Sequence, residues 1–187
     1  MRYAAPVMLV ALLAGCAGQP ARVKEARTDA PDKSYVVELP VGWIQQTTQD
    51  KRLMASRDGF LLEEIVIAHR PLKEAFPKTK AAATDSLLPS ELAERELAED
   101  KAQDQFLAAA TVVSNEPFEI SGREGFQLRI SYHNNRGLEL QRVVYGVADK
   151  SGYYRIAFEA PMLYYFDTYY PQFEKVVTSF HLAGGKS

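Results

Sequence analysis

The sequence predicts an α+β protein: a central, largely antiparallel β-sheet with helices packed on its faces. Three observations carry this expectation. Short apolar runs broken by turn residues fill the chain up to His69, a helix-forming segment follows near Glu91 to Ala109, and four strand-like runs joined by short glycine-bearing links come after it. A length of 187 residues suits one domain with appendages. The composition, 47% hydrophobic and 25% charged, is that of a globular chain, and a formal charge of -2 supplies no field that attracts nucleic acid.

The first strands are expected at Tyr35 to Leu39, Trp43 to Gln46 and Leu53 to Ser56, separated by Pro40-Val41-Gly42 and the polar stretch Thr47 to Lys51. Asp58-Gly59 turns the chain into Phe60 to His69, apolar on both alternating faces and so expected in the middle of the sheet. Ser90 after Pro89 marks a helix start, and Ala98, Ala102, Phe106 and Ala109 fall on one stripe, with Glu94, Asp100, Lys101 and Asp104 away from it. Strands are then expected at Val112 to Ile120, Phe126 to Tyr132, Leu138 to Ala148 and Tyr153 to Ala160. Their short links favour an antiparallel meander. The last helix, Asp167 to Phe180, repeats Tyr169, Phe173, Val176, Val177 and Phe180 at helical spacing.

The chain opens with Met1-Arg2 and a short apolar run ending Leu13-Ala14-Gly15-Cys16. The run is too short to span a bilayer and has the proportions of a secretory signal. Leu13-Ala14-Gly15-Cys16 resembles the bacterial lipobox. The resemblance implies that residues 1–15 are removed and that Cys16, the one cysteine of the chain, becomes a diacylglyceryl thioether holding the protein to a membrane. Ala17, where aspartate would retain the protein at the inner membrane, resembles the pattern passed to the outer membrane facing the periplasm. Residues 16–33, in which Val23 is the only large aliphatic residue, read as lipidated cysteine plus flexible tether spanning on the order of 20 to 25 Å. The expected division is thus 1–15 signal peptide, 16–33 tether, 34–182 globular domain and 183–187 disordered tail.

Within the domain, Leu39-Pro40-Val41-Gly42-Trp43 resembles the apolar-Pro-x-Gly-Trp entry of the PsbP/Mog superfamily. Phe173 to Phe180, FEKVVTSF, resembles its closing helix. The resemblance implies an α/β/α sandwich. Its members include an extrinsic photosystem protein, a Ran-binding nuclear import factor and many bacterial lipoproteins, with no shared catalytic apparatus. Fold analogy favours a binding scaffold and transfers no site. Trp43 and Phe180 are expected in the core.

Catalytic signatures are absent from the sequence: no Gly-x-Ser-x-Gly, no phosphate-binding loop, no dinucleotide fingerprint. His69, His133 and His181 are far apart in sequence and read as unrelated surface residues, so no metal site and no cofactor are expected. Glu63 and Glu64, adjacent in the strand, point to opposite faces and cannot act as paired carboxylates, although one is expected to be partly buried against Arg or Tyr.

Tyrosines cluster between Tyr153 and Tyr170. Tyr154 and Tyr169 are expected inside, whereas Tyr153, Tyr164, Tyr165 and Tyr170 are the candidate partner-binding surface. The reading is a membrane-anchored bacterial envelope lipoprotein, non-enzymatic, that binds another envelope protein. The alternative is a small-ligand carrier or envelope enzyme, which requires a pocket of several hundred Å³ lined by His133, Glu63 or Glu64.

Overall fold

The structure, a computed structural model, describes residues 18–183. The signal sequence, Cys16 and residues 184–187 lie outside the described residues. The strands are β1 (Ala21–Arg22), β2 (Arg27–Asp29), β3 (Tyr35–Glu38), β4 (Ile44–Thr47), β5 (Leu53–Ser56), β6 (Glu64–Arg70), β7 (Thr111–Ile120), β8 (Arg123–His133), β9 (Glu139–Asp149), β10 (Gly152–Pro161) and β11 (His181–Leu182). The helices are α1 (Pro89–Gln103), α2 (Gln105–Ala108) and α3 (Asp167–Thr178).

The main sheet runs β1-β4-β5-β6-β10-β9-β8-β7, with every pair antiparallel. A small sheet, β11-β3-β2, lies apart from it in the same core as α3. The central place of β6 follows from its sequence, since Ile65 to Ala68 is buried without a break. Side-chain alternation along β10 divides the core in two. Tyr154, Ile156 and Phe158 join Trp43, Phe173 and Phe180 on the α3 side, while Tyr153 and Ala157 join Phe76, Leu92, Phe126 and Leu128 on the α1 side. Trp43 and Phe180 are in the core, as the burial habits of large aromatics lead one to expect.

The stretch expected to be a tether is largely part of the fold. Its β1 pairs with β4 and its β2 with β3, Val23 is 1% exposed, and the Val23 N–H donates to the Trp43 carbonyl at 2.8 Å. The folded unit therefore starts near Ala21, ahead of the expected boundary at Ser34. Backbone pairing at a sheet edge asks little of the side chains, so a polar composition did not reveal it.

Two further expectations change. Phe60 to Leu62 form a turn, and β6 begins only at Glu64. The single expected helix breaks at Asp104, whose side chain accepts from the Phe106 N–H at 2.8 Å and so caps α2. The buried face of α1 is Leu92, Ala93, Glu96, Glu99 and Asp100, whereas Ala98, Ala102 and Ala109 are exposed. Acidic residues face the sheet because arginines wait for them there.

The sheet has two distinct ends. The register pairs Ile44 with Ser56, Glu64 with Glu159 and Leu140 with Pro161, which gathers turn 40–43, loop 57–63 and link Met162–Phe166 at what we call the upper end. Thr47 with Leu53, Arg70 with Tyr153 and Asp149 with Gly152 define the lower end, where turns 48–52 and 149–152 lie. Turn 30–34 joins them there through Asp32, bonded to His69. Gly18 packs beside Thr47, so the described chain enters at the lower end.

Candidate functional site

The upper end exposes apolar side chains from three separate segments. Leu61 is 100% exposed, Leu163 79%, Tyr164 65% and Val41 62%, with Leu62 also exposed and Phe60 and Tyr165 half-buried among them. Isolated surface leucines are ordinary, whereas several large apolar groups gathered at one end of a sheet make that end a candidate interaction surface.

The loop carrying Leu61 is held rigidly. Glu63, buried, accepts hydrogen bonds at Oε1 from Ser56 Oγ (3.0 Å), the Arg57 N–H (2.5 Å) and the Asp58 N–H (2.8 Å). The Gly59 N–H donates to Ser56 Oγ at 2.8 Å, and the Tyr169 hydroxyl donates to Asp58. Three donors converge on Oε1 and fix the turn, while Oε2 of the same buried carboxylate has no hydrogen-bond partner among the described residues. Glu63 thus finds backbone amides and Ser56, while Glu64 is the half-buried carboxylate that shares a cleft with Arg142 and Arg155.

The link Met162–Phe166 is strained as well as exposed. Tyr164 has φ 75° and ψ -55°, a conformation rare for any residue with a Cβ. Its carbonyl is capped by the Asp167 N–H and by Thr168 Oγ1 at 2.5 Å, so the kink is locked into the start of α3. Beneath it, Phe166 stacks on Tyr170 at 5.1 Å, Arg129 lies 4.8 Å over the Tyr170 ring, and the Tyr170 hydroxyl accepts from Gln127 Nε2 at 3.2 Å. The expected tyrosine surface is thereby divided. Tyr164 and Tyr165, in edge contact at 5.2 Å, belong to the upper end, Tyr170 is half-buried support, and Tyr154 and Tyr169 are inside.

Tyr153 does not belong to that surface. It is 1% exposed, at the opposite end of β10, and its hydroxyl donates to Glu96 Oε2 at 2.8 Å. The hydroxyl needs a buried acceptor, and the inward carboxylates of α1 supply one. The same carboxylates meet two arginines of the sheet: Arg155 Nε reaches Glu96 at 2.5 Å, while Arg142 reaches Asp100 at 2.8 Å and Glu159 at 2.5 Å. Only a cleft of about 50 Å³ remains between them, lined also by Glu64. Burial raises the Glu64 carboxyl above its ordinary value, and the neighbouring Glu159 charge adds to the shift against the pull of Arg142. This cluster fastens α1 to the sheet.

Other sequence candidates scatter. His133 is exposed at the upper end of β8, Glu63 is buried in its loop and Glu64 lies in the ionic cleft, so these three share no pocket. His69 stacks on Tyr154 at 4.5 Å and bonds Asp32 at 2.7 Å and the Ser151 carbonyl at 3.1 Å. Among the described residues no three His, Cys, Asp or Glu side chains are grouped to hold a metal ion. Sequence reasoning missed Val41, Leu61, Leu62 and Leu163, although the apolar run Phe60-Leu61-Leu62 directly after the Asp58-Gly59 turn carried the signal.

No protein-family model matches the chain, and no curated protein matches it by sequence. Solved structures do match. Cyanobacterial PsbP (CyanoP) from Synechocystis sp. PCC 6803 superposes with a TM-score of 0.53 at 14% identity, over 90% of this chain and 98% of that one. The Ran-binding protein Mog1p of Saccharomyces cerevisiae superposes with a TM-score of 0.57 at 11% identity, over 86% and 96%. The chain has the PsbP/Mog1-like fold. A Bacteroides thetaiotaomicron protein shares it too, with a TM-score of 0.55 at 9% identity over 86% of this chain and 49% of the other. Within this PsbP/Mog1-like fold, Val41 of the Pro-Val-Gly-Trp turn projects into the upper-end patch while Trp43 anchors the turn from below, edge-on to Tyr169 at 5.5 Å.

Proposed function

We propose that this protein is a non-catalytic protein-binding module of the bacterial cell envelope, held by a lipidated Cys16 at the outer membrane facing the periplasm. The upper-end patch carries the reading: Val41, Leu61, Leu163 and Tyr164 are exposed from three rigidly held segments. Pre-ordered apolar side chains lose little entropy on docking, which is what a protein-binding surface requires. The partner is an envelope protein presenting an apolar surface. The same fold in a protein described as Ran-binding supports a binding role, and the lipobox-like Leu13-Ala14-Gly15-Cys16 supports the address.

Two measurements test it. Mass spectrometry of the membrane fraction should find the mature chain starting at an acylated Cys16, and an unmodified cysteine would refute the anchor. Crosslinking in whole cells should recover a defined envelope partner from the wild type and lose it with Tyr164→Ala/Tyr165→Ala. Unchanged recovery by that variant would refute the docking surface.

A further inference from the structure

The two ends of the sheet differ in charge as sharply as in apolarity. Lys33, Lys51 and Lys150 stand exposed in three of the lower-end turns, and Lys73 and Lys80 follow β6 beside them. The upper-end segments 40–43, 57–63 and 162–166 contain no lysine. Among the described residues every ion pair uses arginine or His69, and no lysine takes part.

Three of the lower-end acids are engaged. Asp32 bonds His69 and Ser34, Asp50 bonds Arg52 and Thr48, and Asp149, buried, holds turn 149–152 and faces Arg123. Asp29 is exposed beside Arg27, and Glu74, Glu119 and Glu124 are exposed with no ion pair among the described residues. The five lysines are exposed and outside every ion pair among the described residues, so their charges face outward.

Backbone conformation gives an independent sign. Lys33, Lys51 and Lys80 have φ of 61°, 61° and 59°, the left-handed region where glycine or asparagine costs less. Lysine thus occupies three turn positions that its backbone disfavours, all at one end of the molecule. Lys51, Lys73 and Lys80 also line an open groove of about 740 Å³ together with His69 and Phe76.

The chain enters at this same end. Only Ala17 separates Cys16 from Gly18, which rests beside Thr47, so the two Cα atoms can be at most about 8 Å apart at 3.8 Å per residue. An acylated Cys16 would hold the lower end at the headgroup layer, where cationic side chains meet lipid phosphates.

We propose that the lower end docks on the anionic headgroups of the anchoring membrane through Lys33, Lys51, Lys73, Lys80 and Lys150, directing the upper end away from the bilayer. The proposal rests on the lipid-anchor reading. It changes the mechanical picture from a domain adrift on a tether to one seated on the membrane with a set orientation.

Lysine footprinting of the acylated full-length mature protein tests it. The protein is placed in vesicles of phosphatidylcholine, with or without phosphatidylglycerol, and labelled with an amine-reactive reagent. In the anionic vesicles the five lower-end lysines should label about tenfold more slowly than Lys101 and Lys175, with protection lost in neutral vesicles and when salt shortens the screening length to about 3 Å. The variant Lys51→Gln/Lys73→Gln/Lys80→Gln should expose Lys33 and Lys150 to labelling. Equal labelling in both vesicles with Cys16 acylated would overturn the docking and leave the anchor standing. An unacylated Cys16 in the same spectra would overturn both.

Discussion

The Tyr169 hydroxyl donates a hydrogen bond to the Asp58 carboxylate, joining helix α3 to the loop that carries Leu61. This bond ties α3, which continues the link Met162–Phe166, to loop 57–63, and Arg57 Nη1, donating to the Gly42 carbonyl at 3.3 Å, ties that loop to turn 40–43. Tyr169→Phe keeps the ring against Trp43 and removes the tie. It should cost about 2 kcal/mol, as for other hydrogen bonds to a charged group, and reduce partner crosslinking through Leu61 more than its effect on Tm implies. Thermal melts and crosslinking yields measured on the same preparation check this.

Tyr164 sits in a backbone conformation that glycine tolerates far better. Tyr164→Gly should therefore stabilise the fold by about 1 kcal/mol, visible in urea unfolding, while weakening partner binding. Gain of stability with loss of binding is the signature of strain kept for function; a destabilised variant would contradict it.

Helix α1 is fastened by charge. Arg155→Met removes the cation facing Glu96, which is 1% exposed and would retain only the Tyr153 hydroxyl. The expected loss is about 3 kcal/mol, because a buried carboxylate is left nearly unpaired. Hydrogen exchange should show α1 loosening while α3 stays protected.

Stability should also depend on pH through Glu64. Its folded carboxyl is raised above the ordinary value near 4.5, so the folded state holds this proton more tightly than the unfolded chain. That contribution is fully present below the unfolded value and is lost as pH rises through the folded one. Glu64→Gln should accordingly raise Tm at neutral pH, with the advantage vanishing in acid. Melting curves of both proteins across that range are the check.

Much of this fold was legible from periodicity. Phe126 to Tyr132 alternates cleanly and forms β8, and Tyr169, Phe173, Val176 and Val177 bury one face of α3. Two features were hidden for physical reasons. The polar stretch from Ala21 to Asp29 pairs through its backbone, which composition does not register, and α1 buries carboxylates whose arginine partners, Arg142 and Arg155, lie far away in sequence. Clustering along the chain groups Tyr153, Tyr164, Tyr165 and Tyr170, whereas in space only Tyr164 and Tyr165 belong to the upper-end patch and Tyr170 supports it from beneath. The β10 register places Tyr153 opposite Arg70 at the other end of the sheet.

The central claim is that the upper end is where the protein meets its partner. A photoreactive amino acid placed at position 61, and a second placed at position 102 on the exposed face of α1, tests it most directly in intact cells. The account predicts one defined protein adduct from position 61 and none from position 102. The same adducts from both positions, or none from position 61, would contradict it.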